Sequence, residues 1–143
     1  MPIVHRMRHA AIATVLVIGA FVPARAAAAD NTWYRYDQAA VERAKAAGQT
    51  VVLVFHAPWC PICRAQMATL RPLLADPEFA GVAGFIVDFD SAEALRGTLG
   101  VKNPATLIVY EGKAEVVRGT GVTDAATLRG LVREGLGARA PSP

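Results

Sequence analysis

Cys60 and Cys63 are the two cysteines of this 143-residue chain, and their spacing limits what they can do. A disulfide between them closes only a four-residue loop. Such a bridge removes little entropy from the unfolded chain and is a poor structural staple. A short, strained and accessible bridge is instead easy to reduce and remake. Thiol–disulfide exchange needs one thiolate that attacks and a second thiol near enough to resolve the mixed disulfide. A cysteine at a helix N-terminus meets the first need, because free backbone N–H groups and the positive end of the helix dipole stabilise its negative charge. Pro61 suits the first helical turn, where its missing N–H costs nothing, so the sequence predicts a helix opening at Cys60 or Pro61. Cys63 then lies one turn further on the same face. Cys60 is read as the nucleophile and Cys63 as the resolving thiol. Trp59 is expected to pack beside the pair as an apolar platform, and Pro61 to set the helix start. Ile62 brings no polar hydrogen to the Cys60 sulfur, which gives a slight lean toward a reductant.

The elements that must position this pair follow from the hydrophobic pattern. Trp33-Tyr34-Arg35-Tyr36 reads as a short edge strand. Asp37 caps a helix running to about Ala47, with Ala40, Val41 and Ala44 on one face and Gly48 suited to its stop. Thr50 to Phe55 is a continuous β-branched and aliphatic run, which suits a central strand buried on both faces. The helix after it carries Ile62, Met67 and Leu70 and is expected to kink or end at Pro72. Asp76-Pro77 reads as a turn and Phe85 to Phe89 as a second apolar strand. Ser91 is the expected cap of a helix through Leu99, followed by Gly100. Thr106 to Tyr110 and Glu115 to Arg118 read as strands joined by a Glu111-Gly112-Lys113 turn. Thr123 or Asp124 caps a last helix that buries Leu128, Leu131, Val132 and Leu136. This order predicts a right-handed parallel crossover followed by an antiparallel pair on the same sheet. The expected fold class is α/β, a three-layer α/β/α sandwich with a central mixed sheet. The cysteines would sit just past the carboxyl end of its central strand, where open α/β sheets place their sites.

Composition bounds the function. The chain is 53% apolar and 19% charged, a globular balance of a size that suits one domain. Its basic pI of about 9.2 does not indicate nucleic acid. Three of the fifteen Lys and Arg, namely Arg6, Arg8 and Arg25, lie in the first 26 positions, where no acid occurs, leaving twelve bases against twelve acids beyond it. No basic run remains. The first segment has the order of an export signal: a positive start at His5, Arg6, Arg8 and His9, an apolar run from Ala10 to Val22, then small residues. That run of about 13 residues is short for a spanning helix, which needs roughly 20. The expectation is a signal peptide over residues 1–29, cut after Ala26 or Ala29, a domain over 30–136 and a disordered tail over 137–143. The protein would then be exported, to the periplasm if the source is Gram-negative. It would touch a membrane through its own chain only if the first segment is retained.

Phe55-His56-Ala57-Pro58-Trp59-Cys60-Pro61-Ile62-Cys63 resembles the active-site segment of the thioredoxin family, a strand end followed by Trp-Cys-x-x-Cys. Gly100-Val101-Lys102-Asn103-Pro104-Ala105-Thr106-Leu107 resembles the segment that carries the family's cis-proline. Gly112-Lys113, with Gly119 and Gly121, fits its terminal hairpin. The resemblance runs from about Asp37 to Leu136 and implies the thioredoxin fold and dithiol–disulfide exchange. It implies that Asn103, Pro104, Ala105 and Thr106 form the loop facing the cysteines and pairing with the substrate backbone. Three positions depart from the pattern. Ala105 stands where proline should directly precede threonine, and Pro104 comes one residue early. A cis bond before Ala105 would cost about 2.5–4 kcal/mol, so either Asn103–Pro104 is cis in a shifted register or the site has no cis bond. The family's buried acid aligns with Val54 and its companion lysine near Ile86, and neither can move a proton.

The expected activity is protein-disulfide oxidoreductase, with no cofactor and no metal. The expected partners are thiols and disulfides of exported proteins and a redox partner in the membrane, with no nucleic acid. The competing reading is a thioredoxin-fold module that holds metal or an unfolded partner without turnover. A zinc site needs four ligands, and beyond the cysteines only His56 offers a further histidine in the mature chain. Asp88, Asp90 and His56 are read as solvated residues at strand ends, and Arg129 and Arg133 as a solvated helix face.

Overall fold

The computed structural model describes residues 33–137. The expected export signal, and all of the expected disordered tail except Gly137, therefore lie outside the described residues. Five strands form one sheet: β1 (Trp33–Arg35), β2 (Thr50–His56), β3 (Ala83–Asp88), β4 (Thr106–Glu111) and β5 (Ala114–Thr120). Four helices accompany them: α1 (Gln38–Ala46), α2 (Pro61–Leu74), α3 (Glu93–Leu99) and α4 (Ala125–Glu134). A short 3-10 turn, Pro77–Phe79, joins α2 to β3. The strand order is β1-β3-β2-β4-β5. β3 runs parallel to both β1 and β2, while β4 runs antiparallel to β2 and β5.

The Thr50–Phe55 run explains the central place of β2. All six residues are buried, so the strand must be covered on both faces. Alternation sends Val51, Leu53 and Phe55 to one side, where Val41, Ala44, Phe85, Ile108 and Tyr110 join them. Val52 and Val54 go to the other side, with Leu70, Leu74, Phe79, Leu107, Leu128 and Val132. The sheet is therefore the middle layer of a three-layer α/β/α sandwich, as the order of elements predicts. No helix among the described residues is long and apolar enough to cross a membrane.

Local chemistry sets the helix starts. The Asp37 carboxylate accepts the Ala40 N–H at 2.7 Å, and the Asp124 carboxylate accepts the Thr127 N–H at 2.8 Å. One local expectation fails, and of the two outcomes expected at Pro72, a kink or an end, the end does not occur. Pro72 does not end α2, which continues to Leu74, because packing of Leu70, Leu73 and Leu74 into the core outweighs one missing backbone bond. Ser91 does not cap α3. Its N–H and hydroxyl both turn back to the Asp88 carboxylate, at 2.9 and 2.8 Å, and α3 begins after Ala92 with no side-chain cap. Asp88 competes for the serine and wins because its short side chain closes a local turn.

Candidate active site

The end of β2 delivers the cysteine pair. Past His56, the segment Ala57–Cys60 turns the chain into α2, and Cys60 becomes the N-cap residue, with extended backbone at φ −88° and ψ 112°. Its sulfur accepts the Cys63 N–H at 3.1 Å, the place a serine or aspartate oxygen usually holds at a cap. Pro61 occupies the first turn, as expected. Both cysteines are free thiols. Cys60 retains 6% of its surface and Cys63 none, so the outer sulfur is the one a substrate can meet.

Cys63 lies against backbone. Its sulfur is 4.0 Å from the Phe55 carbonyl oxygen. Burial pushes the Cys63 thiol up, the hydrogen bond with Cys60 adds to this, and backbone groups of Ala57 and Ala105 oppose it. A buried thiol held in its protonated form suits a resolving role. A buried thiol of this kind reacts less readily with an outside disulfide than an exposed one.

Trp59, just before the pair, and Ile62, between its two cysteines, are 61% and 50% exposed. Trp59 is not simply an apolar platform. Its indole N–H donates to both oxygens of Asp90, at 3.0 and 3.3 Å. Asp90 is thus more than a solvated strand-end charge, and Asp88 caps the turn that carries it. The sequence signal for this was only an aspartate just past a strand that ends level with the cysteines. Arg64 follows the pair and donates to the Pro58 carbonyl at 3.1 Å, tying down the turn before Cys60.

The loop of Asn103, Pro104, Ala105 and Thr106 does come to the cysteines. The Ala105 N–H donates to the Phe55 carbonyl at 2.8 Å, the same oxygen that Cys63 faces. All peptide bonds of the described residues are trans, Asn103–Pro104 included. In place of a cis bond, Ala105 adopts φ +56°, the one non-glycine residue among those described in the left-handed region. That conformation costs an alanine about 1–2 kcal/mol, and its surroundings hold it. The Ala105 carbonyl accepts the Gly121 N–H at 2.9 Å and Gln66 Nε2 at 3.2 Å. Thr106 donates its hydroxyl to the Asn103 carbonyl at 2.8 Å, and lies 2.9 Å from the Thr120 hydroxyl. Asn103 is exposed and Pro104 half-buried, leaving the rim of the loop to solvent. Gln66 went unnoticed in the sequence, where a polar residue on a helix reads as solvent-facing.

Val54, aligned with the family's buried acid, is fully buried among aliphatic side chains, and no ionisable group replaces it there. Among the described residues no cluster of three or more His, Cys, Asp or Glu could hold a metal ion. A groove of about 690 Å³ between β1, β3 and α3 is lined by residues including Arg35, Tyr36, Asp88 and Leu95, and neither cysteine opens into it.

Among solved structures, Trxlp from Edwardsiella tarda EIB202 is similar at 34% identity, over 71% of this chain and 98% of that one, with a TM-score of 0.69. A mutant thioredoxin from Halobacterium salinarum NRC-1 is 19% identical over 79% of this chain and 95% of that one, with a TM-score of 0.65. Thioredoxin O2 from Arabidopsis thaliana in its oxidised state is 22% identical over 70% and 90%, with a TM-score of 0.59. The latter two bear on the fold alone. No curated protein sequence matches the chain. The family model for AhpC/TSA matches residues 23–139. With the strand order, the helix-capping cysteine and its buried partner, this supports a thiol redox function, and the chain belongs to the AhpC/TSA family of thioredoxin-like proteins.

Proposed function

We propose that this protein is an exported thiol–disulfide oxidoreductase that exchanges disulfides with other exported proteins, with a slight lean toward the reducing direction. The observation that carries the reading is the cysteine pair itself. Cys60 caps α2 at the end of the central strand, with Cys63 behind it donating its N–H to the Cys60 sulfur at 3.1 Å. In the reducing direction, the Cys60 thiolate attacks one sulfur of a substrate disulfide and expels the other as a thiolate. Cys63, having lost its proton to solvent, then attacks Cys60 in the mixed disulfide. The Cys60–Cys63 bond forms, the second substrate thiol leaves, and two electrons have passed to the substrate. With Val54 and Ile86 where an acid and a lysine would stand, no buried ionisable side chain among the described residues is there to relay that proton.

Export rests on residues 1–29 alone, and the reducing direction on Ile62. A reductant in an oxidising compartment needs electrons from outside it, which makes a membrane redox partner part of the proposal. The test is reduction of insulin disulfides by dithiothreitol, with and without the protein. Catalysis should vanish in Cys60→Ser, while Cys63→Ser should accumulate the mixed disulfide. Wild type no faster than Cys60→Ser would sink the reading. A reduction potential near about −270 mV supports the reducing direction, and one near about −120 mV would make the protein a disulfide donor.

A further inference from the structure

Gln66 lies three residues after Cys63 on the inward face of α2 and is fully buried. Its Nε2 donates to the Ala105 carbonyl at 3.2 Å and to the Val122 carbonyl at 2.9 Å. Two carbonyl acceptors settle the orientation of the amide, since only the NH2 end can serve both. Its Oε1 is buried with no protein partner among the described residues. Methionine would fill nearly the same volume without burying that oxygen. The side chain thus weakens the core in exchange for two hydrogen bonds, and both go to loops beside the cysteines.

What those bonds hold is the backbone at Ala105. A strained φ of +56° persists only where neighbours over-determine it. The Ala105 carbonyl is fixed by Gln66 and Gly121, and its N–H points at the Phe55 carbonyl, next to the Cys63 sulfur. Relaxation to negative φ would swing that N–H away from both. Thr69, three residues beyond Gln66 on α2, adds a hydroxyl bond to the Thr123 carbonyl at 3.1 Å and anchors the second loop to the same helix.

We propose that Gln66 is a positioning residue of this site, bolting the Ala105 loop and the Gly121–Thr123 turn to α2 so that Ala105 keeps its place on the Phe55 carbonyl, beside the Cys63 sulfur, when Cys63 resolves a mixed disulfide. Ala105 is one of two backbone neighbours that favour the Cys63 thiolate against its burial. The inference deepens the thiol–disulfide reading and rests on it.

The test is Gln66→Met in the full chain, with pre-steady-state measurement of attack on a disulfide-bonded model peptide and of the release that follows. Resolution by Cys63 should slow by about tenfold near neutral pH, because a displaced Ala105 backbone no longer helps the buried thiolate to form. Attack by Cys60 should be unchanged. The deficit should narrow as pH rises, because a fully ionised Cys63 no longer depends on that help to form its thiolate. Equal slowing of both steps, a loss independent of pH, or resolution at the wild-type rate would each overturn the proposal. Should the variant fail to fold, amide exchange in the reduced wild type decides: the Ala105 and Gly121 amides should be strongly protected, and fast exchange at Ala105 would overturn it. An active wild type, an inactive Cys60→Ser and an unaffected Gln66→Met would sink this inference alone. A wild type no faster than Cys60→Ser would sink the thiol reading with it.

Discussion

Replacing Ala105 by glycine, beside the same replacement at Ala57, isolates the strain stored in the loop that faces the cysteines. Both alanines are essentially buried, at 1% and 0% exposure. Only Ala105 has positive φ. At Ala57 the change removes a buried methyl, worth about 0.8 kcal/mol, and adds about 0.4–1 kcal/mol of unfolded-chain entropy. Ala57→Gly should therefore cost about 1.2–1.8 kcal/mol, the sum of those two losses. Ala105→Gly suffers the same losses but recovers the left-handed penalty of about 1–2 kcal/mol. Its net effect should fall within about 1 kcal/mol of zero. The two variants should differ by the strain itself, or roughly 4–16 °C in Tm for a domain of this size. The assay is urea and thermal unfolding of each reduced variant against wild type, followed by far-UV circular dichroism. If Ala105→Gly were as destabilised as Ala57→Gly, Ala105 would not hold a strained conformation, and the account of the loop would fail.

Further outcomes follow from the same geometry. Cys63 has a folded-state thiol raised by burial, so the stability it lends is present below its unfolded value, near 9.0, and is lost as pH rises through the folded one. Reduced wild type should therefore lose stability in alkali, and Cys63→Ala should not share that loss in pH-resolved urea titrations. Glu78 pairs with Arg133 and Arg129, and Asp76 accepts the Glu78 backbone N–H and pairs with Arg129, which holds both carboxyls below their ordinary values. That stability is present above the unfolded values of 3.8 and 4.5 and is lost as pH falls through the lower folded ones. Glu78→Gln should melt earlier than wild type at pH 6, with the gap closing toward pH 3; a constant gap would count against the ion pairs. Gly135→Ala drives a methyl into Val109 Cγ1 and places it 2.6 Å from Thr50 Cγ2. Overpacking there should cost about 1–3 kcal/mol in urea unfolding, and a wild-type midpoint would show that α4 shifts freely over the sheet.

Much of the fold was legible because its signals are local. The unbroken β-branched and aliphatic run of Thr50 to Phe55 suits a strand covered on both faces, and it is one. Asp37 and Asp124 announce the helices they cap. Cys60, followed by Pro61, announces both a helix start and the chemistry placed on it. Pro72 and Ser91 misled because each local rule met a competitor: core packing carried α2 past the proline, and Asp88 captured the serine before it could cap.

The sequence by itself singled out the cysteine pair and the layer that carries it, since two cysteines three residues apart at a helix start have few other uses. It marked the loop of Asn103 to Thr106 through a misplaced proline but could not give that loop's shape. Tertiary contacts decided it. Ala105 is left-handed because the Phe55 carbonyl, the Gly121 amide and the Gln66 side chain converge on it from three other parts of the chain. Trp59 is held by Asp90, 31 residues away. Gln66 is buried because two loops offer it carbonyls. Each outcome depends on groups distant in sequence meeting in space, where a desolvated hydrogen bond outweighs a residue's intrinsic preference.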